Sequence, residues 1–537
     1  MKNQIGLTKF CLLIFSLIFI LAACTSPSTS EPTSNDSSEK EGSPTSEALE
    51  GEKVLKVALP APPGNLDPHF VATHSEMEIV QPIFNGLLRY QPGTASFDTI
   101  EGDLAENWEV SDDGLTWTFQ LREGVQWHKG YGEFTSDDVK WSIERVMDPE
   151  VGSPQASMFK FVESVEAPDK YTVEITLKQP YPAFILSLVV DGVGGGAIMK
   201  REAVEGGGED PEKLVGTGPF MLEAHSPGES AILIKNTEYF RGEPKLDQIE
   251  LYVMRDNAAR EVAMDRGDIH MTYGEPDGMW VQQRSQNEDL DILISGQSMI
   301  WTIHLNKEMA PMDNILVRKA ISYAIDYDSL MHSLGTDVAR PAKSILSDGV
   351  FGHIETGQYE YNPEKAKELL AEAGYPDGLT LPETLTPNLP AYIPVNSFIQ
   401  EQLRQVGIEA PMQQVDLPTW MPALYGGQNP FNFQIGVQRP HGVPNLFRVW
   451  HSEGPANFTK YSGSDQLIEQ AELELDEQRS LELMAQIQQE IKDDYISLPM
   501  IETVMTNAVR KEVELGYELI DTAIYMAPKY ETTDLLK

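Results

Sequence analysis

Glycine runs, histidine pairs and paired carboxylates are the features of this chain best suited to chemistry, and none completes a reactive constellation. Gly192-Val-Gly194-Gly-Gly-Ala197 comes after an apolar run, as a dinucleotide-binding turn would. That turn needs a helix opening at its glycines and an acidic residue after the next strand. The next residues, Ile198-Met-Lys-Arg-Glu-Ala-Val-Glu-Gly-Gly-Gly208, are too few and too Gly-rich to build that unit, so a flexible connection is expected. His69 and His74, and likewise His441 and His451, are spaced outside the helical pattern that holds a metal. Asp112-Asp113, Asp137-Asp138 and Asp493-Asp494 fall at turns and helix ends, where capping explains them. The chain has no Gly-x-Ser-x-Gly elbow, P-loop or His-Glu-x-x-His. These residues predict no catalysis, no cofactor and no resident metal.

The two cysteines carry a different message. Cys11 lies in an apolar run, Phe10 to Ile20, behind Lys2 and Lys9; Cys24 ends Leu21-Ala22-Ala23-Cys24. The apolar core is shorter than the roughly 20 residues a membrane-spanning helix requires. The junction resembles a bacterial lipoprotein signal peptide, which implies cleavage before Cys24 and diacylglycerol on its thiol. Residues 25–50, rich in Ser, Thr, Pro and Glu, read as a disordered tether holding a folded body off the bilayer. Beyond Cys24 no thiol remains, so disulfides, thiolate metal sites and cysteine nucleophiles are excluded from the body.

A net charge of −43 across 537 residues repels nucleic acid and anionic lipid alike. It reads foremost as a solvated acidic surface. The length calls for two or three domains.

Secondary structure mixes throughout. Val54–Leu59 suits a buried strand. Trp108–Val110, the turn Asp112-Asp113-Gly114 and Leu115–Leu121 form a hairpin with Leu115, Trp117, Phe119 and Leu121 inward. Phe161–Ala167 and Tyr171–Leu177 form a second. Ser136 is expected to cap a helix carrying Val139, Ile143, Val146 and Met147. Another helix begins near Leu316, and Asn362-Pro363 through Gly374 has a cap at each end around an Ala366/Leu369/Leu370/Ala373 stripe. Leu467 to Tyr495 reads as helical, broken near Asp476.

Several segments in order resemble the peptide/opine/nickel family of solute-binding proteins, which serve ABC importers. They are Asn65-Leu-Asp-Pro-His69, Ile83-Phe-Asn-Gly-Leu-Leu-Arg-Tyr90, Leu104 through His128, Phe134–Val139, Gly216-Thr-Gly-Pro-Phe220, Val317–Asp326 and Asn362–Gly378. The likeness runs from about residue 53 to the end. It implies an α/β, two-lobed periplasmic-binding-protein fold (type II, cluster C) with an extra inserted domain, closing on its ligand by a hinge. The expected divisions are 1–23 signal peptide, 24–52 tether, 53–89 lobe I, 90–208 insert, 209–298 lobe I, 299–501 lobe II and 502–537 lobe I. Expected partners are an ABC permease with its ATPases, a small organic or peptide ligand, and the membrane through lipid on Cys24; the body is expected to be a monomer.

The ligand is where the chain departs from the family pattern. Peptide binders hold the ligand's amino group with an Asp where this chain has Pro440, and dipeptide binders use an Arg where it has Pro390. An ammonium left unpaired in a closed cleft is costly, so a free dipeptide is disfavoured. By resemblance, Ala72, His74, Trp420, Gln438, Arg439 and His441 should face the cleft, with Trp301 at the crossover into lobe II. Arg439 suits a carboxylate, phosphate or sulfate; Trp420 suits a peptide bond or sugar face. An oligopeptide or similar-sized solute leads this reading, with a nickel chelate or oligosaccharide as alternative, or a signalling lipoprotein on the same fold.

Overall fold

The computed structural model describes residues 51–71, 73–190, 195–205, 214–519 and 529–536. Cys24 with its leader, Ala72 and the first half of the Gly192–Ala197 turn lie outside the described residues.

A nine-stranded sheet runs through the body from Phe431–Val437 at one end to Phe220–Ser226 at the other. Val54–Leu59 lies in it, parallel to Gln248–Val253 and to Met271–Tyr273. Its apolar residues come from both faces because helices and loops cover both, as parallel strands require. Two strands stand out for length, Leu290–Leu305 and Ser497–Arg510, paired antiparallel.

These two strands belong to more than one core. Trp301, Ile303, Leu305, Leu498, Met500 and Ile501 pack with Val317, Ile321, Leu370, Ile399 and Phe433. Farther along the same strands, Leu293 and Val509 pack with Leu55, Val57, Phe84, Phe220 and Leu251. Between the two regions the pairing slips: Ser295 faces Met505, but Met299 faces Thr503. The extra residues bulge out at Gly296, whose φ of +64° is a left-handed value that glycine takes without strain.

A separate antiparallel sheet of four strands holds Ala105–Val110, Thr116–Leu121, Thr172–Leu177 and Val162–Asp169 in that order. Trp117, Phe119 and Leu121 are buried as the alternation predicts; Leu115 precedes the strand and is half-buried. The helix Ser136–Met147 covers this sheet with Val139, Ile143 and Val146. Its N-cap is Thr135 rather than Ser136: Thr135 is extended, and its N–H donates to Asp138 Oδ2 at 2.9 Å. Ser136 is the first helical residue and sends its hydroxyl to Asp169 O. The core of this sheet continues into Leu446, Trp450, Ile468, Leu483 and Ile487 from helices much later in the chain.

Helices elsewhere start where capping chemistry places them. Ile315–Ala324 is capped by Asn314, and Pro363–Glu372 by Asn362, whose Oδ1 accepts the Lys365 N–H at 3.0 Å. Asp476 separates Asp465–Leu473 from Glu477–Asp493 and caps the second.

Two of the sequence motifs gain a physical explanation. Asp67 takes Arg145 Nη2 at 2.5 Å, and Arg145 Nη1 donates to His69 Nδ1 at 2.8 Å, while His69 Nε2 bonds Ala197 O. The Asn65–His69 segment thus anchors the helix Ser136–Met147. In Gly216-Thr-Gly-Pro-Phe220 the backbone passes so close that a Cβ on Gly216 would collide with the Ile83 carbonyl.

Candidate functional site

Beyond the bulge, the strand Leu290–Leu305 sorts its side chains by alternation. Trp301, Ile303 and Leu305 enter the core; Ile300, Thr302 and His304 turn the other way and line a cavity of about 430 Å³. The end of Phe431–Val437 and the helix Gly442–Trp450 supply the other walls, and Gln155 reaches in from the segment before the Val162–Asp169 strand.

Two cations face this space, Arg439 and Arg448, and among the described residues no carboxylate lines it. Neither guanidinium forms an ion pair among the described residues, although acidic groups outnumber basic ones 83 to 40 in the chain. Burial and the nearby Arg448 charge lower the pKa of Arg439. Arg439 is held in place through its backbone: its N–H donates to Asn445 Oδ1 at 3.0 Å, and Asn445 Nδ2 returns to its carbonyl at 2.8 Å. Gln434 adds a buried amide N–H₂ with no partner among the described residues. His304 is kept neutral, its pKa pushed down to about 3 by burial and by Arg448, and its Nδ1 meets Ser497 Oγ at 2.9 Å. Trp450 Nε1 donates to the same hydroxyl at 2.8 Å. The cavity therefore offers positive charge and donors, framed by Tyr425, Trp450 and Phe458. An anion entering it would meet charge-assisted donors on more than one wall.

Of the residues expected at the cleft, Gln438 and Arg439 line the cavity. Gln438 does so as a clamp: its Oε1 accepts the Ser347 N–H at 2.7 Å and its Nε2 donates to Ile345 O at 2.7 Å. His441 lies next to the wall but caps the helix Gly442–Trp450, its Nδ1 accepting the Val443 N–H, and its ring packs between Phe97 and Phe351. Trp301 points to the opposite face of its strand. Trp420 is buried against Tyr392, edge to face at 5.6 Å, because the helix Leu417–Tyr425 turns Trp420, Ala423 and Leu424 inward. Both tryptophans pack in the same hydrophobic core. His74 opens the helix His74–Val80, half-buried with its ring 6.2 Å from Tyr273 and away from this cavity.

Thr302, His304, Gln434 and Arg448 join the site without having been expected there. The alternation Ile300-Trp-Thr-Ile-His304 carries the signal for the first pair, and Arg448, the one charge in the helix Gly442–Trp450, carries it for the last.

Two α/β cores sharing a pair of strands, with a cavity lined where Leu290–Leu305 leaves the bulge, define a two-lobed solute-binding fold. The chain belongs to the bacterial extracellular solute-binding proteins, family 5, whose middle region matches residues 99–457. It is 26% identical over 485 residues to the probable D,D-dipeptide-binding periplasmic protein DdpA of Escherichia coli K12, covering 88% of this chain and 92% of that protein. The glutathione-binding protein GsiB of Salmonella paratyphi A is 30% identical over 409 residues, 76% of each chain. Among solved structures, MoaA of A. tumefaciens R10 in complex with mannopinic acid superposes with a TM-score of 0.78 at 30% identity, over 91% of this chain and all of that one. DppA of Helicobacter pylori with the peptide STSA gives 0.75 at 26%, over 90% and 98%. Members of this family are solute-binding components of ABC importers. No helix among the described residues is long and apolar enough to cross a membrane.

Proposed function

We propose that this chain is a lipid-anchored, extracytoplasmic receptor that captures an anionic organic solute of oligopeptide size and delivers it to an ABC permease and its ATPases. Cys24 is the lipidation site in this reading, and residues 24–52 are the tether. The bodies on either side of the Gly296 bulge are the two lobes, with 90–208 as the insert, and closure about that bulge encloses the ligand.

The observation that carries the reading is the pair Arg439 and Arg448, facing an acid-free cavity in a strongly acidic chain. Arg439 is half-buried without a counter-ion, which is costly, and a ligand carboxylate removes that cost; Arg448, exposed at the rim, adds a second donor. The relatives agree in kind: mannopinic acid, glutathione and a peptide, the ligands of three of them, all carry carboxylates. Pro440 and Pro390 continue to disfavour a free dipeptide, since neither supplies a charge.

The test is calorimetric titration of the purified full-length protein with organic acids and their matching amides. Acids are expected to bind and amides to bind weakly or not at all. Arg439→Ala should weaken an acid by roughly 10- to 100-fold, the worth of one charge-assisted hydrogen bond or two. Equal affinity for acid and amide would remove the anion from the reading.

A further inference from the structure

Among the described residues a single ion pair joins residues 90–208 to residues 299–501: Lys160 Nζ lies 3.3 Å from Glu472 Oε1. Lys160 stands just before the strand Val162–Asp169, and Glu472 is in the helix Asp465–Leu473. The same ammonium lies 4.4 Å from the centre of the Phe161 ring on its own side and 3.9 Å from that of Phe447 on the other. Both ring faces attract it. The two partners differ in their access to water: the Lys160 side chain is 36% exposed and that of Glu472 only 7%. Burial raises the Glu472 pKa, and the Lys160 charge pulls it back down. His451, Glu469 and Tyr181 are the other titratable groups around this carboxylate, and Arg439 and Arg448 share the small cavity it lines. Two further contacts cross the same boundary. A Cβ on Gly114 would come within 2.6 Å of Leu475, and Phe97 lies 5.2 Å from Phe351.

Desolvation makes this pair one-sided. A buried pair adds little net stability, whereas stranding its buried member without the counter-charge is strongly unfavourable. Without Glu472, Lys160 can swing its ammonium into water on its flexible stem. Without Lys160, Glu472 has no such escape while the two parts stay in contact. We propose that Lys160 is the latch of the closed receptor: it neutralises Glu472 as residues 90–208 meet lobe II, and closure stalls when that charge is missing. The inference rests on the two-lobe closure above and gives the insert a part in it, whatever ligand lies between the lobes.

The experiment compares the full-length protein with Lys160→Met, which keeps an apolar stem against both rings, with Glu472→Gln, and with the double variant. No ligand is added. Small-angle scattering reads the separation of the lobes, and hydroxyl-radical labelling of Phe97 and Phe351 reads exposure at a second contact across the boundary. Lys160→Met should raise the open-to-closed ratio roughly 10- to 100-fold, with a larger radius of gyration and stronger labelling at both rings. Glu472→Gln should stay within about threefold of the wild type, and the double variant should fall back to that level. The excess opening of Lys160→Met over the double variant should shrink as the pH is lowered from about 8 to about 5, because protonation discharges the stranded Glu472. His451, Glu469, Tyr181 and the two arginines are present in both variants, so their titration cancels in that comparison. A Lys160→Met protein as closed as the wild type, or a double variant as open as Lys160→Met, overturns the latch. So does labelling that stays unchanged at Phe97 and Phe351, which reduces the pair to a local contact. Each of these outcomes leaves anion capture standing, since that reading is decided by acids against amides in the wild type.

Discussion

Trp301 donates its indole N–H to the Thr503 hydroxyl at 3.0 Å, tying the two long strands together beside the slip in their register. The ring itself packs on Phe433 in the second core. Trp301→Phe keeps the packing and deletes the bond. It should lower stability by roughly 1–3 kcal/mol, the range for a buried partner left unsatisfied, with ligand affinity unchanged. Urea unfolding and calorimetry together decide the matter. Lost affinity at constant stability would return Trp301 to the binding site.

Gln438 is predicted to act through the loop it clamps. Gln438→Ala releases the Ser347 N–H and the Ile345 carbonyl, so hydrogen exchange at Ser347 should accelerate by about tenfold or more. Ligand affinity should fall by less than in Arg439→Ala. Unaltered exchange at Ser347 would show that the loop holds without this amide.

Phe97 lies 4.8 Å from the His441 ring and 5.2 Å from Phe351, joining an early segment to two later ones. Aromatic pairs of this kind contribute about 0.5–1.5 kcal/mol each beyond area burial. Phe97→Ala should favour the open arrangement, raising the radius of gyration in small-angle scattering and weakening every ligand by a similar factor. A change in selectivity among ligands instead would place Phe97 in contact with them.

Stability should fall as the pH drops. His69, His128 and His441 have pKa values lowered to about 4 and His304 to about 3, all with burial as the leading cause. The unfolded chain takes up protons near pH 6.5 that the folded chain refuses, so the stability these groups contribute is full above about 6.5 and is lost progressively as pH falls toward 4. Glu502 runs the other way. Burial raises its pKa to about 7 against the pull of Arg340, so the folded form keeps a proton that the unfolded form sheds above about 4.5. Its contribution to stability declines between those two values as pH rises. Four imidazoles outweigh one carboxyl, so the urea midpoint should drop between pH 6.5 and 4.5. In Glu502→Gln the drop should be steeper, because the opposing carboxyl is gone. A flat midpoint over that range in the wild type would contradict the burial of neutral imidazole.

Local chemistry makes much of the architecture readable from sequence. The Asn362 and Asp476 caps, the Thr116–Leu121 alternation and the ordered motifs each report a decision taken within a few residues. The long strands escape such reading because their partners lie about two hundred residues apart, and register is a property of the pair. The site is legible in part. Arg439 is visible as a cation beside Pro440, where peptide binders of the family place an Asp, but sequence does not separate a tryptophan in the core from one at the cleft. That separation depends on which face of a strand or helix turns inward, as Trp301 and Trp420 illustrate.

The shared strands also bear on dissection of the gene. A fragment stopping before Leu290 would strip Met271–Tyr273 of its neighbour Asn507–Val509, and one beginning there would carry two long ribbons with half their length uncovered. Neither piece inherits a finished sheet, so the lobes cannot be produced and recombined as separate modules. A circular permutant, opened at an exposed loop such as the one around Gly228, would keep every ribbon intact.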